Sequence, residues 1–535
     1  MPDTDEFDYI VIGGGSAGAP VAARLSESGR HRVLLLEAGP RRSPLWVRTP
    51  IGYVFYLDRP SSHNWGFRTE PESTLQGRVI NAPRGKGVGG TSLINSMMYV
   101  RGAPFDYNGW RDAGAVGWAY DDVLPFFKKA ERHVWGETAF HGGEGPLEVR
   151  GPQSTSPIHE AMIAAGQELG FPVTEDFNGR VYEGFGRYHH NQFLSNGLRC
   201  STGASYLRED AIPKNLLIKD LAHVTKIEIE SGRAVSVRYR WRGGACQSSC
   251  RGEIVLCAGA FQSPQIMMLS GIGPSTELTR HGIDVHLDQG DVGTNLMDHF
   301  GADIQCTASK PVTLYSAMKV PGALTALYQM LFQGKGPYTF FPFDSGAMVR
   351  SDPGEDKPDL QLLCGDYTRE GGRKTMRRHG FNIAWCQSRP KSRGTVSLQS
   401  NDPFASPSIR YGFLSEEEDR FVQRRAFKLA RGLTKSKAFA AYFDDEIAPG
   451  KDCVSDDAID DYIASHGGQH HHPCGTLKMG PQDKGVVDHR LKVHGVDGLR
   501  VADASIMPNI VSGNTNAPTI MIGEKAASMI LEDAP

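Results

Sequence analysis

The stretch that decides the fold is FDYIVIGGGSAGAPVAARLSESGRHRVLLLEAG, Phe7 to Gly39. It opens with a short apolar run that stops on glycine, the pattern of a buried strand. Small and apolar residues then recur at helical spacing, and Gly29 suits a helix stop. A second apolar strand follows and finishes on Glu37. Together these predict a β–α–β unit. Between the first strand and the helix stand Gly13, Gly15 and Gly18, a G-x-G-x-x-G with Ser16 inside the turn. The first glycine permits the turn, the second lets backbone approach a pyrophosphate, and the third lets helix and strand pack closely. The helix N-terminus offers N–H groups and partial positive charge to phosphates. Glu37 lies nineteen residues beyond Gly18, where a carboxylate can accept hydrogen bonds from ribose hydroxyls. The motif alone leaves FAD and NAD equally open.

Around this unit the chain runs to 535 residues, so two or more domains are expected. The formal charge is −3, which points away from a nucleic-acid partner. No run of about 18 apolar residues exists, so no transmembrane segment is expected. The acidic start MPDTDEFDY lacks an apolar signal region, and the expected location is cytoplasmic. Nine cysteines are sparse and irregularly spaced. The tight pair Cys246 and Cys250 lacks two further ligands nearby, so all nine read as reduced thiols and no metal is expected.

A second block, NLLIKD, VTKIEIESG, AVSVRYRW and GEIVLCAGA, spans roughly residues 215–260. It reads as a β-meander that returns to a parallel sheet. Residues 305–465 mix strand-like FNIAWCQSRP and RGTVSLQS with the helical EEEDRFVQRRAFKLARGLTKS, and carry no nucleotide signature. The chain ends in APTIMIGEKAASMILEDA, a helix with Pro518 near its start.

PRGKGVGGTSLINSMMYVRG, Pro83 to Gly102, resembles the first signature of the glucose–methanol–choline (GMC) oxidoreductases. GAFQSPQIMMLSGIGP, Gly259 to Pro274, resembles the second. DVGTNLMDH, GLRVADASIMP and NTNAPTIMIGEKAA match the same pattern in order, and HNWGFRTEPE is similar to the choline-dehydrogenase-like branch. The resemblance covers essentially the whole chain. It implies an α/β chain (α+β overall). A Rossmann-like FAD-binding domain carries a substrate-binding cap with an antiparallel sheet and flanking helices. The implied division gives residues 1–155, 195–305 and 475–535 to the FAD domain, and 156–194 and 306–474 to the cap. It implies bound FAD and oxidation of an alcohol to an aldehyde or ketone. By the same resemblance Gly90 and the backbone of Asn95, Ser96, Met97 and Met98 run along the flavin. Val224 meets the adenine, and Asp503 lies near the phosphate and ribityl region. Some relatives attach FAD to a histidine just before the asparagine of the first signature. That position here is Ile94, which has no nucleophile, so the FAD is expected to be non-covalent.

GGQHHHPCGTLKMG, Gly467 to Gly480, poses a separate question. Adjacent side chains on extended backbone point to opposite sides, so three histidines in a row rarely focus on one metal. A solvated run is the plainer alternative. The resemblance is sharper: HPCGT is similar to the segment that carries the family's catalytic histidine, which makes His472 the base. The implied partner is Asn516, with Asn514 and Thr515 against the flavin edge. An imidazole has a pKa of about 6.5 and can accept the alcohol proton near neutrality. An asparagine N–H can hold the developing alkoxide. Hydride then passes to flavin N5, and the helix starting near Pro518 turns its positive end toward the flavin.

Choline is disfavoured. Choline-oxidising relatives commonly place an aromatic residue before the catalytic histidine, where it encloses the ammonium group. Here His471 stands there. Asp344 could supply a carboxylate, but reads as an exposed loop residue. A different primary alcohol, aromatic or medium-chain, is expected. ALTALYQMLFQGKGPYTFFPF suits either a pocket lining or core. The electron acceptor is oxygen or a quinone-like molecule. The alternative is a flavin-containing lyase of the hydroxynitrile-lyase type.

Overall fold

The computed structural model describes residues 6–55, 59–369 and 378–534; residues 1–5, with most of the acidic start, lie outside it. The expected β–α–β unit is there. β1 is Glu6–Ile12, α1 is Gly18–Glu27 and β2 is Val33–Leu36. Every residue of β2 is buried, as strands covered on both faces require. Gly29 sits at φ +72° just past α1, the left-handed conformation that ends helices.

β1 pairs in parallel with β2 on one side and with Gly244–Leu256 on the other. Leu216–Lys219 extends the sheet beyond β2, and Leu499–Val501 extends it beyond Gly244–Leu256. The thirteen-residue strand Gly244–Leu256 does two jobs. Its first half closes an antiparallel meander with Ala222–Glu230 and Arg233–Trp241. From Ser249 onward it runs parallel to β1, which is the return the sequence predicts. The C-terminal helix Asn516–Asp533 packs on α1. Arg24 of α1 holds Glu524 at 2.9 Å, and Tyr206 donates to the same carboxylate at 2.7 Å.

A second sheet is wholly antiparallel. Its order is Phe443–Ala448, Asp303–Ala308, Gly380–Gln387, Leu360–Gly365, Phe343–Val349 and Gly184–Arg187. A domain division at residue 305 would cut the strand Asp303–Ala308, which belongs to this sheet entire. Period-two alternation sorts its two faces. Leu360, Leu362, Phe381, Ile383 and Trp385 enter one apolar core with the helices Pro157–Glu168 and Glu417–Thr434. Gln361 points the other way and bonds Met98 and Asn514. The cap thereby presents a polar side chain to the C-terminal segment. Among the described residues no helix is long and apolar enough to cross a membrane.

Candidate active site

One large cavity, of about 760 Å³, runs between the two sheets' territories. That size is typical of cofactor and substrate sites. Gly13, Gly15, Ser16, Glu37, Gly90, Asn95, Ser96, Met98 and Val224 line it. Asp503, Thr515, Asn514, Asn516 and His472 line it as well. Two expected residues do not. Gly18 lies behind the turn, where a Cβ would collide with the Gly13 carbonyl oxygen. Met97 has φ +61° and packs with Phe341 away from the cavity.

Both Glu37 carboxylate oxygens accept from backbone N–H groups. One carboxylate oxygen accepts from Gly14 N–H at 2.9 Å. The other accepts from Gly39 N–H at 2.7 Å and Gly87 N–H at 3.0 Å. This single buried acid joins the dinucleotide turn to the GVGGTS loop. Gly90 of that loop stands against Gly15, and a Cβ on Gly90 would come within 2.6 Å of the Gly15 Cα. Asp503 likewise serves its own backbone: it accepts from Ser505 N–H, Gly259 N–H and the Ser263 hydroxyl. Its cavity position and its capping role coexist.

His472 is the chemical centre of the cavity wall. Its Nδ1 is 2.9 Å from Nδ1 of His299. Its Nε2 is 3.1 Å from the Asn514 amide nitrogen. Its backbone N–H donates to Asp298 at 2.9 Å, and Tyr411 donates its hydroxyl to the same carboxylate at 3.0 Å. The Asn514 carbonyl oxygen accepts from Gln361 at 3.2 Å, so the Asn514 NH₂ faces His472. An amide that donates to Nε2 requires a lone pair there, and Nδ1 then carries the proton toward His299. Burial, and then the rings of His299, His470 and His471 and the Arg84 guanidinium, hold His472 well below the ordinary imidazole range. Burial and His470 hold His299 down to about 3. Both rings are therefore neutral near pH 7. Burial pushes Asp298 up to about 7, opposed by the His472 N–H and Arg84.

The expected pairing of His472 with Asn516 is corrected. Asn514 is the asparagine beside His472. The Asn516 carbonyl oxygen accepts instead from the Ser16 hydroxyl at 2.8 Å. The reason is helical geometry: Asn516 is the first residue of the helix Asn516–Asp533 and is turned toward α1. Asn514 precedes the helix and is free to reach the cap. That helix starts at Asn516, with Pro518 in its first turn, as expected.

The three histidines all line the cavity. His471 takes φ +68°, an uncommon left-handed turn for a non-glycine residue. Gln469 holds that turn, accepting from His471 N–H at 2.8 Å and contacting the ring at 2.7 Å. Arg84 grips the His471 carbonyl at 2.8 Å. Among the described residues the metal-sized group is elsewhere, at Glu131, His133 and His141. There both His141 nitrogens already meet carboxylates, of Glu131 at 3.0 Å and Asp176 at 2.8 Å.

Asp344 is not the exposed loop residue its sequence context suggests. It is fully buried on the strand Phe343–Val349 and paired with Arg187 at 2.6 Å. It does not line the cavity. The network of Arg84, Asp298, His299, Gln361 and Tyr411 was not foreseen. DVGTNLMDH resembles a family segment, but nothing in its residues alone assigns Asp298 and His299 to His472.

A two-sheet fold with a dinucleotide turn and a neutral imidazole on the wall of one cavity suits an enzyme that works on a nucleotide cofactor. The chain belongs to the GMC oxidoreductases: the family's N- and C-terminal models match residues 7–301 and 390–523. It is 42% identical to an oxygen-dependent choline dehydrogenase of Rhizobium meliloti (strain 1021), over 99% of this chain and 96% of the relative. An enzyme of the same name from Brucella melitensis biotype 1 is 40% identical over 99% and 96%. Among solved structures, pyridoxine 4-oxidase from Mesorbium loti aligns with TM-score 0.90 and 31% identity, over 99% of this chain and 100% of that one. A formate oxidase of Aspergillus oryzae RIB40 aligns with TM-score 0.92 and 25% identity, over 100% and 99%. The chain is thus a GMC-fold flavoenzyme that uses FAD to oxidise alcohols. The lyase alternative finds no support among these relatives.

The residues present fit FAD: a glycine turn open to phosphates, an acid just past β2 and a cavity long enough to reach His472. Gly18 tests that fit. Gly18→Val forces α1 off β1, so the purified chain should lose its flavin absorbance; a yellow variant with normal FAD content would remove the close packing from the account.

Proposed function

We propose that His472 takes the hydroxyl proton of a small neutral alcohol, with Asn514 holding the oxygen. The observation that carries this is the neutral Nε2 of His472, fixed between His299 and Asn514 on the wall of the cavity. An alcohol oxygen that inserts between Nε2 and the Asn514 NH₂ meets an acceptor for its proton and a donor for its charge. FAD, when bound, supplies the two-electron acceptor for the hydride. Ile94 lines the same cavity, and its hydrocarbon side chain supports non-covalent binding.

The lining argues for a neutral alcohol over choline. Among the described residues the acids on the wall are Glu37 and Asp503, and both are committed to backbone N–H groups. The cations Arg84 and Arg369 line the cavity too. Among the described residues the one carboxylate beside His472 is Asp298, which is taken up by the His472 N–H and the Tyr411 hydroxyl and does not line the cavity, so a trimethylammonium head meets guanidinium groups instead. This departs from the relatives named choline dehydrogenase. It is in keeping with a neutral aromatic alcohol, the kind of molecule the name pyridoxine 4-oxidase indicates for that neighbour. Oxygen as electron acceptor is supported by the names of both groups of relatives.

The test is anaerobic mixing of the holoenzyme with an alcohol panel. Benzyl alcohol should bleach the flavin band and choline should bleach it far more slowly. Choline as the fastest substrate would overturn the choice. The pH profile carries a sign. A base must be unprotonated to act, and lowering its pKa extends its unprotonated range toward acid. Bleaching should therefore hold steady on descent past about pH 6.5, the ordinary imidazole value, and fall only below it. A limb centred above neutrality would contradict a desolvated His472.

A further inference from the structure

The helix Gly322–Gln333, GALTALYQMLFQ, has no part in the chemistry above. Its inner side buries a single residue, Ala326. Ala326 packs with Leu314, Ala317 and Tyr338 as a small cluster apart from the two main cores. Leu314 and Tyr338 also line the cavity, so this helix is the outer layer of one cavity wall. Of the apolar stretch from Ala323 to Phe343, most is neither core nor lining.

The outer side is apolar and open. Leu324, Leu331 and Phe332 are 63%, 50% and 75% exposed, and Leu327 and Tyr328 between them are exposed as well. Positions 324, 327, 328, 331 and 332 recur every three or four residues and form one continuous face. Met318 and Val320, also exposed, extend it at the N-terminal end. Scattered apolar residues on a surface need no explanation, but a contiguous face marks an interaction site.

Charge decides the partner. From Lys310 to Phe343 the chain carries Lys310, Lys319 and Lys335 and no aspartate or glutamate, within a protein of net charge −3. Lys319 and Lys335 bracket the helix, one beyond each end. Two copies meeting face to face would bring these lysines together with no carboxylate from the segment to offset them. An apolar helix face flanked by unopposed lysines matches an anionic lipid surface: the face enters the headgroup boundary and the ammonium groups meet phosphates. Twelve residues are too few to span a bilayer, so such contact is peripheral.

We propose that the face of Leu324, Leu327, Tyr328, Leu331 and Phe332 docks on an anionic membrane surface. The cavity wall formed by Leu314 and Tyr338 then stands directly behind the lipid contact.

The test is flotation of the FAD-loaded full chain with vesicles of phosphatidylglycerol and phosphatidylcholine, or of phosphatidylcholine alone. The protein should float with the anionic vesicles, and about tenfold less with the neutral ones. The triple variant Leu324→Gln, Leu331→Gln, Phe332→Gln should lose flotation by about tenfold or more. Its flavin absorbance and its alcohol oxidation in lipid-free buffer should stay unchanged, which shows that it folds. The pair Lys319→Gln, Lys335→Gln should bring binding on anionic vesicles down to the neutral level. The proposal falls if the parent protein floats with neither vesicle, or if the triple variant floats like the parent. It falls equally if light scattering shows that the triple variant splits a two-copy assembly, because a second copy then covers the face.

Discussion

Replacing His472 with alanine should slow flavin reduction by alcohol by roughly 10²–10⁴-fold, the usual contribution of a positioned base. FAD should remain bound, because the His472 side chain bonds His299 and Asn514 and not the glycine turn or the Glu37 that ties that turn to the GVGGTS loop. The size of the loss follows from the chemistry. Hydride leaves a carbinol carbon readily only as the oxygen gives up its proton, and the cavity wall holds no other neutral imidazole with an Asn514 donor at its Nε2. The check is stopped-flow reduction under anaerobic conditions, read from the flavin band, with FAD content measured in the same sample. Added imidazole should restore part of the rate if proton acceptance is what was lost. A variant that is reduced at the parental rate would take His472 out of the mechanism.

The second large effect separates two asparagines. Asn514→Ala should lower the same rate by about 10²–10³-fold, the cost of removing one donor to a developing oxyanion. It also leaves the Gln361 amide with only the weak Met98 sulfur as acceptor. Asn516→Ala should leave proton transfer nearly intact and act on cofactor loading, because Asn516 bonds Ser16 of the dinucleotide turn. The two readouts, reduction rate and FAD content, should therefore move in different variants. If Asn516→Ala carries the rate loss and Asn514→Ala is silent, the substrate oxygen sits between His472 and Asn516 and the assignment reverses.

These two residues also show how far the sequence could be read. The segment Asn514-Thr515-Asn516 was recognisable as the partner of HPCGT. Which asparagine faces the imidazole was not, because residues two apart differ in direction once a helix begins between them, and the helix start is set by packing on α1. Asp344 failed for a related reason. A lone aspartate among apolar residues gives no local sign that Arg187, 157 residues earlier, will neutralise it in the interior. His299 and Asp298 lie in a stretch whose family likeness was plain, yet their hydrogen bonds to His472 span more than 170 residues. No periodicity records such a contact.

What the sequence determined by itself was everything governed by local pattern. The β–α–β unit, its glycine turn and the meander's return to the parallel sheet all follow from hydrophobic period and from glycine where backbone must approach backbone. The tertiary structure alone decided three things: the direction of Asn514, the neutrality of the His472–His299 pair, and the open apolar face of Gly322–Gln333. Each depends on which distant surface a side chain meets and how much water that surface excludes. Desolvation and cross-chain hydrogen bonds are properties of the packed whole, so they come into being only when the two sheets close over the cavity.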